Sequence, residues 1–156
     1  MIDTPQIIQT RAQLTAMIHL TIPRSEIRSA MGPGISEVIA AAKTQGIGPA
    51  GAWFTHHLKM DPAIFDFEIC VPVTAPVVVM GRVTPGEMPA IRVARTVYRG
   101  PYEGLGVAWS EFKDWIAANG HVPRPDLYEC YLTGPESTAN PADWRTELSQ
   151  PLTGQP

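Results

Sequence analysis

Cysteine is scarce in this 156-residue chain: only Cys70 and Cys130 are present, in separate strand-like segments. That excludes a disulfide scaffold and reads as two buried free thiols in a reducing cytoplasm. Long hydrophobic runs are also missing. The longest, such as Ala75–Met80, are too short to cross a bilayer, and no charged start leads into an apolar stretch as in a signal peptide. Dense Lys/Arg runs are absent and the net charge is −3, so neither nucleic acid nor a membrane is an expected partner. There is no GxSxG, no P-loop and no GxGxxG, which removes the common nucleophile and nucleotide motifs. The four histidines have no ligand spacing. His56 and His57 are adjacent and point to opposite faces of a regular strand, so no metal and no cofactor is expected.

What is present is a globular composition, 44% hydrophobic and 17% charged, in a length that buries about two thirds of its unfolded surface. Sixteen prolines and thirteen glycines announce frequent turns. The chain also resembles itself. PAIFDFEICVPV (62–73) aligns without gaps with PADWRTELSQPL (141–152), and SEVIAAAKTQGIGP (36–49) with SEFKDWIAANGHVP (110–123). Two matches in the same order point to two copies of one unit.

Each copy reads as strand, helix, strand, strand. In the first, Ala12–Ile22 is a strand, Ser25 is placed to cap a helix, and MGPG (31–34) should break or kink it. The helix then resumes at Ile35 and ends at Gly46. Ala50–Leu58 and Ile64–Val71 follow as strands, and the run Val77–Met80 in the linker is placed to add another. In the second copy, Ala90–Tyr98 alternates as a strand. Leu105, Trp109, Phe112, Trp115 and Ile116 recur at helical spacing within Tyr102–Asn119 and form a buried stripe. Leu127–Thr133 and Trp144–Leu148 close the copy, separated by the turn-rich GPESTANPA (134–142). The expected fold class is α+β: two pseudo-symmetric strand–helix–strand–strand units form one antiparallel sheet, with the helices on one face and a ligand groove on the other. The whole chain, 1–156, is read as one domain, with repeats at about 12–73 and 89–153 and a linker at 74–88.

The candidate chemistry centres on LYECYL (127–132). Leu127, Glu129 and Tyr131 share one face, so a single carboxylate lies among apolar and aromatic neighbours. A salt bridge to an arginine or a wet strand edge is the plain explanation. The functional one is a carboxylate at the floor of an aromatic pocket, which attracts a cation. Aligning Tyr131 with His56 through the repeat puts Phe54 opposite Glu129, and Trp53, Phe54, His56, Tyr98 and Tyr102 complete the expected lining. Glu68 and Glu147 occupy equivalent repeat positions and read as structural, outward-facing groups. Trp109 and Trp115 read as core.

These residues carry a resemblance. TVYRGPYEGLGVAWSEFKDWIAANG, then YECYLTGP, then TELSQPL is similar to the GyrI-like small-molecule-binding family, well over 88–153 and more loosely over 12–73. That family includes effector-binding domains of multidrug-responsive and AraC-type transcription regulators. The resemblance implies two units related by a pseudo-twofold with a groove between them. It also implies a ligand-facing glutamate that often meets cationic aromatic compounds, here Glu129 with Tyr131 beside it. Because no DNA-binding module is read at either end, the expectation is a stand-alone binder of an apolar, cationic aromatic drug, toxin or effector. Its alternative is a hydrolase of strained, cyclopropane-bearing toxins, with Glu129 as the candidate catalytic group that activates water. The family's gyrase-inhibiting members also bring a partner protein into view, and exposed strand edges a homodimer.

Overall fold

The computed structural model describes residues 2–135 and 137–153; the remaining positions of the expected 1–156 domain lie outside the described residues. The strands are β1 (Gln6–Gln9), β2 (Gln13–Pro23), β3 (Phe54–Met60), β4 (Ile64–Pro72), β5 (Thr84–Met88), β6 (Arg92–Arg99), β7 (Leu127–Thr133) and β8 (Arg145–Pro151). Two long helices, α1 (Ile27–Thr44) and α2 (Leu105–Ala118), complete a mixed α+β, antiparallel fold. The chain divides into two compact units, Arg11–Ala90 (the first) and the residues up to Thr10 with those from Ile91 on (the second). No helix among the described residues is long and apolar enough to cross a membrane.

The first unit orders its strands β3-β4-β2-β5. Its core is built where Ala16 and Ile18 of β2 and Phe67, Ile69 and Val71 of β4 meet Val38, Ala41 and Ala42 of α1. Gly34 makes that approach possible: a Cβ there would lie 2.6 Å from the Ile69 side chain. Contrary to expectation, α1 runs unbroken through Pro33. The proline removes one N–H, while Gly32 leaves open space beside it and packing on the sheet holds the helix together. Ser25 caps nothing: it lies in a 3-10 turn, Arg24–Glu26, that leads into α1 without a side-chain cap. Val77–Met80 is not the added strand either. Only Val77 is buried, and β5 supplies the extra pairing to β2, tolerating Pro85 at the sheet margin.

The second unit orders its strands β7-β8-β6-β1, and the N-terminal strand β1 was not visible in the sequence. Trp109, Phe112 and Ile116 of α2 pack on Ala94, Tyr98, Leu127 and Leu148. Complete burial of Phe112 and Ile116 contributes about 1.5–3 kcal/mol each. Both helices end alike. Gly46 and Gly120 adopt left-handed φ angles of 71° and 78°, and the next residues, Ile47 and His121, donate back to Ala42 O and Ile116 O.

Candidate functional site

Parity fixes which side chains share a face. On β8, Thr146 and Leu148 pair with Tyr131 and Glu129 of β7 and with Tyr98 and Thr96 of β6. Leu148 and Tyr98 belong to the core beneath α2, so Glu129 and Tyr131 lie on the α2 side of their sheet. The expectation of a pocket on the face opposite the helices is corrected for this unit.

Both oxygens of Glu129 are held. Trp109 Nε1–H donates to Oε2 at 2.7 Å and the Tyr131 hydroxyl donates to Oε1 at 2.6 Å. An indole N–H can only donate, and donors on a carboxylate make strong, short bonds. The acid is therefore clamped between a helix and its own strand. Aromatic rings extend from it. Tyr131 meets Tyr102 edge-on at 5.9 Å, and Tyr102 lies against Trp144 at 4.8 Å. Trp144 is anchored through its indole N–H to Thr138 O at 3.0 Å. Beside Tyr131 in the pairing, Thr146 is fully buried, and its hydroxyl has no hydrogen-bond partner among the described residues. The group offers a fixed carboxylate, π faces and one orphan hydroxyl, a set suited to binding a flat or cationic organic molecule.

Of the expected lining residues, Glu129, Tyr131 and Tyr102 come together. Tyr98 does not join them as a rim residue. It is 5% exposed, and its hydroxyl donates to Pro101 O at 2.8 Å, beneath the 3-10 turn Tyr102–Gly104. The turn fits over the ring because Gly100, with φ 139°, and Gly104 lack side chains. Trp109 and Trp144 were missed as site residues. Trp109 fits the buried helical stripe, a pattern that carries no sign of a polar role for its N–H, and Trp144 stands at a strand entry with no local motif.

Each first-unit candidate has contacts within its own unit. Trp53 packs against the core of its own unit. Phe54 and His56 pair with Cys70 and Glu68, on the face opposite α1, where His56 Nδ1 lies 3.0 Å from Glu68 Oε1. The same face carries His19 Nε2 at 2.6 Å from Asp66 Oδ1; that hydrogen bond holds the Asp66 carboxyl below its ordinary pKa. Glu147, read as structural, lies 3.5 Å from Arg95. The repeat alignment was one residue out. Thr55 pairs with Ile69 as Glu129 pairs with Leu148, and His57 with Phe67 as Tyr131 with Thr146. Thr55 and His57 are thus the counterparts of Glu129 and Tyr131. A register irregularity follows both, at 57/59 and at 131/133. Neither cysteine is in a disulfide: burial pushes the Cys70 thiol pKa far up, and burial, then Glu147, raises Cys130 to about 12. Among the described residues no group of His, Cys, Asp and Glu is placed to hold a metal ion.

A sequence profile of the GyrI-like small molecule binding domain matches residues 3–153. No curated protein matches the sequence. The crystal structure of the EcmrR C-terminal domain is similar at 21% identity and a TM-score of 0.84, over 97% of this chain and 98% of that one. In the cryo-EM structure of the EcmrR–DNA complex, the chain spans 58% of EcmrR. SAV2435 bound to tetraphenylphosphonium is similar at 13% identity and a TM-score of 0.68, over 97% of this chain and 95% of that one. A hydrolase from Listeria innocua is similar at 14% and 0.65, over 96% and 91%. At these identities the likeness is one of fold.

Proposed function

The chain belongs to the GyrI-like small-molecule-binding family, and from that premise we propose that it binds an apolar, cationic aromatic molecule, as a drug, toxin or effector binder, on the α2 side of its second unit. The observation that carries this reading is Glu129, clamped by Trp109 and Tyr131 beside Tyr102 and Trp144. A fixed carboxylate next to π faces favours a cation twice, by charge and by ring quadrupole. The similar SAV2435 was solved with tetraphenylphosphonium bound, a ligand of that class. The test is a thermal-shift and calorimetric comparison of wild type and Glu129→Gln with a matched cationic and neutral aromatic pair. The cation should lose at least about tenfold in affinity, or about 1.4 kcal/mol, and the neutral compound little. Equal losses for both would remove the charge role.

A second reading has Glu129 activating water for attack on a strained electrophile such as a cyclopropane-bearing toxin. It draws on the likeness to a protein named as a hydrolase and on a carboxylate whose orientation is already set. Turnover of such a compound by wild type, abolished in Glu129→Gln, is its test; binding without turnover eliminates it.

A further inference from the structure

The register equivalence assigns first-unit counterparts to Glu129, Tyr131, Tyr102 and Trp144. β2 pairs with β4 as β6 pairs with β8, with Ile18 opposite Ile69 and Thr96 opposite Leu148. Continued along the chain, Pro23–Arg24 then corresponds to Pro101–Tyr102, and both prolines lead into a 3-10 turn and a long helix. Phe65 corresponds to Trp144 through the gapless repeat. The counterpart of Tyr102 against Trp144 is therefore Arg24 against Phe65, with the guanidinium carbon 4.3 Å from the ring centroid. Where the second unit has Glu129 and Tyr131, the first has Thr55 and His57. His57 meets Phe65 edge-on at 5.7 Å and stacks on Phe67 at 5.3 Å. The same architecture carries the opposite charge.

Arg24 keeps donors that its internal contacts do not use. Its backbone N–H donates to Ala63 O at 3.1 Å and its Nε–H to Asp61 O at 2.7 Å. The Asp61 carboxylate is turned to other work, accepting from the Ala63 and Ile64 backbone N–H groups. Among the described residues Arg24 forms no ion pair, and its side chain donates through Nε, leaving the two Nη groups without an acceptor there. A half-buried guanidinium over a ring, with two forked donor groups left over, is matched to an oxyanion that offers two acceptor oxygens.

We propose that the first unit carries a second subsite of opposite polarity, in which Arg24 on Phe65 binds the anionic group of a flat aromatic molecule such as an aryl sulfonate or carboxylate. This goes beyond the cation site around Glu129 and does not depend on it. The test uses two probes of one shape, naphthalene-2-sulfonate and a naphthyl trimethylammonium, titrated calorimetrically into wild type, Arg24→Met and Glu129→Gln. Arg24→Met should weaken the sulfonate at least about tenfold and leave the ammonium compound unchanged. Glu129→Gln should leave the sulfonate unchanged, whatever it does to the ammonium compound. In the wild-type protein, where folding of a variant is not at issue, sulfonate titration should shift the ring resonances of Phe65 and His57. No sulfonate binding to wild type, unchanged affinity in a folded Arg24→Met, or shifts confined to Tyr102 and Trp144 would each overturn the proposal. Failure of the wild-type protein to bind the ammonium compound, with sulfonate binding intact, would count only against the Glu129 reading.

Discussion

Trp109 Nε1 lies 2.7 Å from Glu129 Oε2, so the helix that covers the second unit also sets the direction of its carboxylate. Phe at this position keeps most of the buried ring and deletes the donor. Trp109→Phe should cost about 1.5–3 kcal/mol in stability, the range for a hydrogen bond to a charged group, read as a lower urea midpoint with an unchanged slope. It should also weaken a cationic aromatic ligand several-fold, because the carboxylate then loses the indole donor that sets its direction. Undiminished ligand affinity in the folded variant would show that clamping by the indole is irrelevant to binding.

How far the sequence anticipates this arrangement varies by element. The stripe of Leu105, Trp109, Phe112 and Ile116 locates α2, and the helix-ending glycines 46 and 120 are read correctly, since both ends need a left-handed residue. Strand β7 is placed to the residue. Glu129 is legible because a lone carboxylate in an apolar strand violates the local pattern. The first unit's partner residues are not, because side chains alternate with period two and a slip of one residue exchanges faces. That slip put Phe54 where Thr55 stands. Strand β5, TPGEM, carries no strand pattern and exists only because β2 offers it a partner. Pro33 misleads in the other direction, since tertiary packing overrides a local helix breaker.

The thiols give a pH signature. Cys130 rises from 9.0 to about 12 in the folded chain, through burial first and Glu147 second. A thiol whose folded pKa lies above the unfolded one holds its proton longer in the native state, so its stabilising contribution is complete below about pH 9 and is lost as pH climbs toward 12. Stability should fall with pH across that window, by up to about 1.4 kcal/mol per unit for this one group. Cys130→Ala should remove that component when denaturant midpoints are compared at pH 8, 9.5 and 11. Alkylation by iodoacetamide at pH 8 should likewise be far slower in the folded than in the guanidinium-unfolded protein. Equal rates would mean that the native thiol is not shielded.

The turn carrying Tyr102 rests on the Tyr98 ring, and Gly104 is where that support is tightest. A Cβ at Gly104 would sit 2.0 Å from the Tyr98 hydroxyl and 2.9 Å from its Cζ. Tyr98 has little room to yield, being buried and tied to Pro101 O. The backbone at Gly104, φ −86° and ψ −4°, is one any residue adopts, so the penalty of Gly104→Ala is steric: about 1–3 kcal/mol of overpacking, with weaker ligand binding as Tyr102 is displaced from Trp144. Gly106 has nothing within 4 Å of an added Cβ, and Gly106→Ala in the first turn of α2 should be neutral or stabilising by up to about 1 kcal/mol. Tyr98→Phe removes the oxygen at 2.0 Å. The cost of Gly104→Ala should therefore shrink in that background, and a double-mutant cycle should return a coupling above about 0.5 kcal/mol. Strict additivity of the two substitutions would show that the turn can relax away from the ring, and that the Tyr98 hydroxyl does not fix where Tyr102 stands.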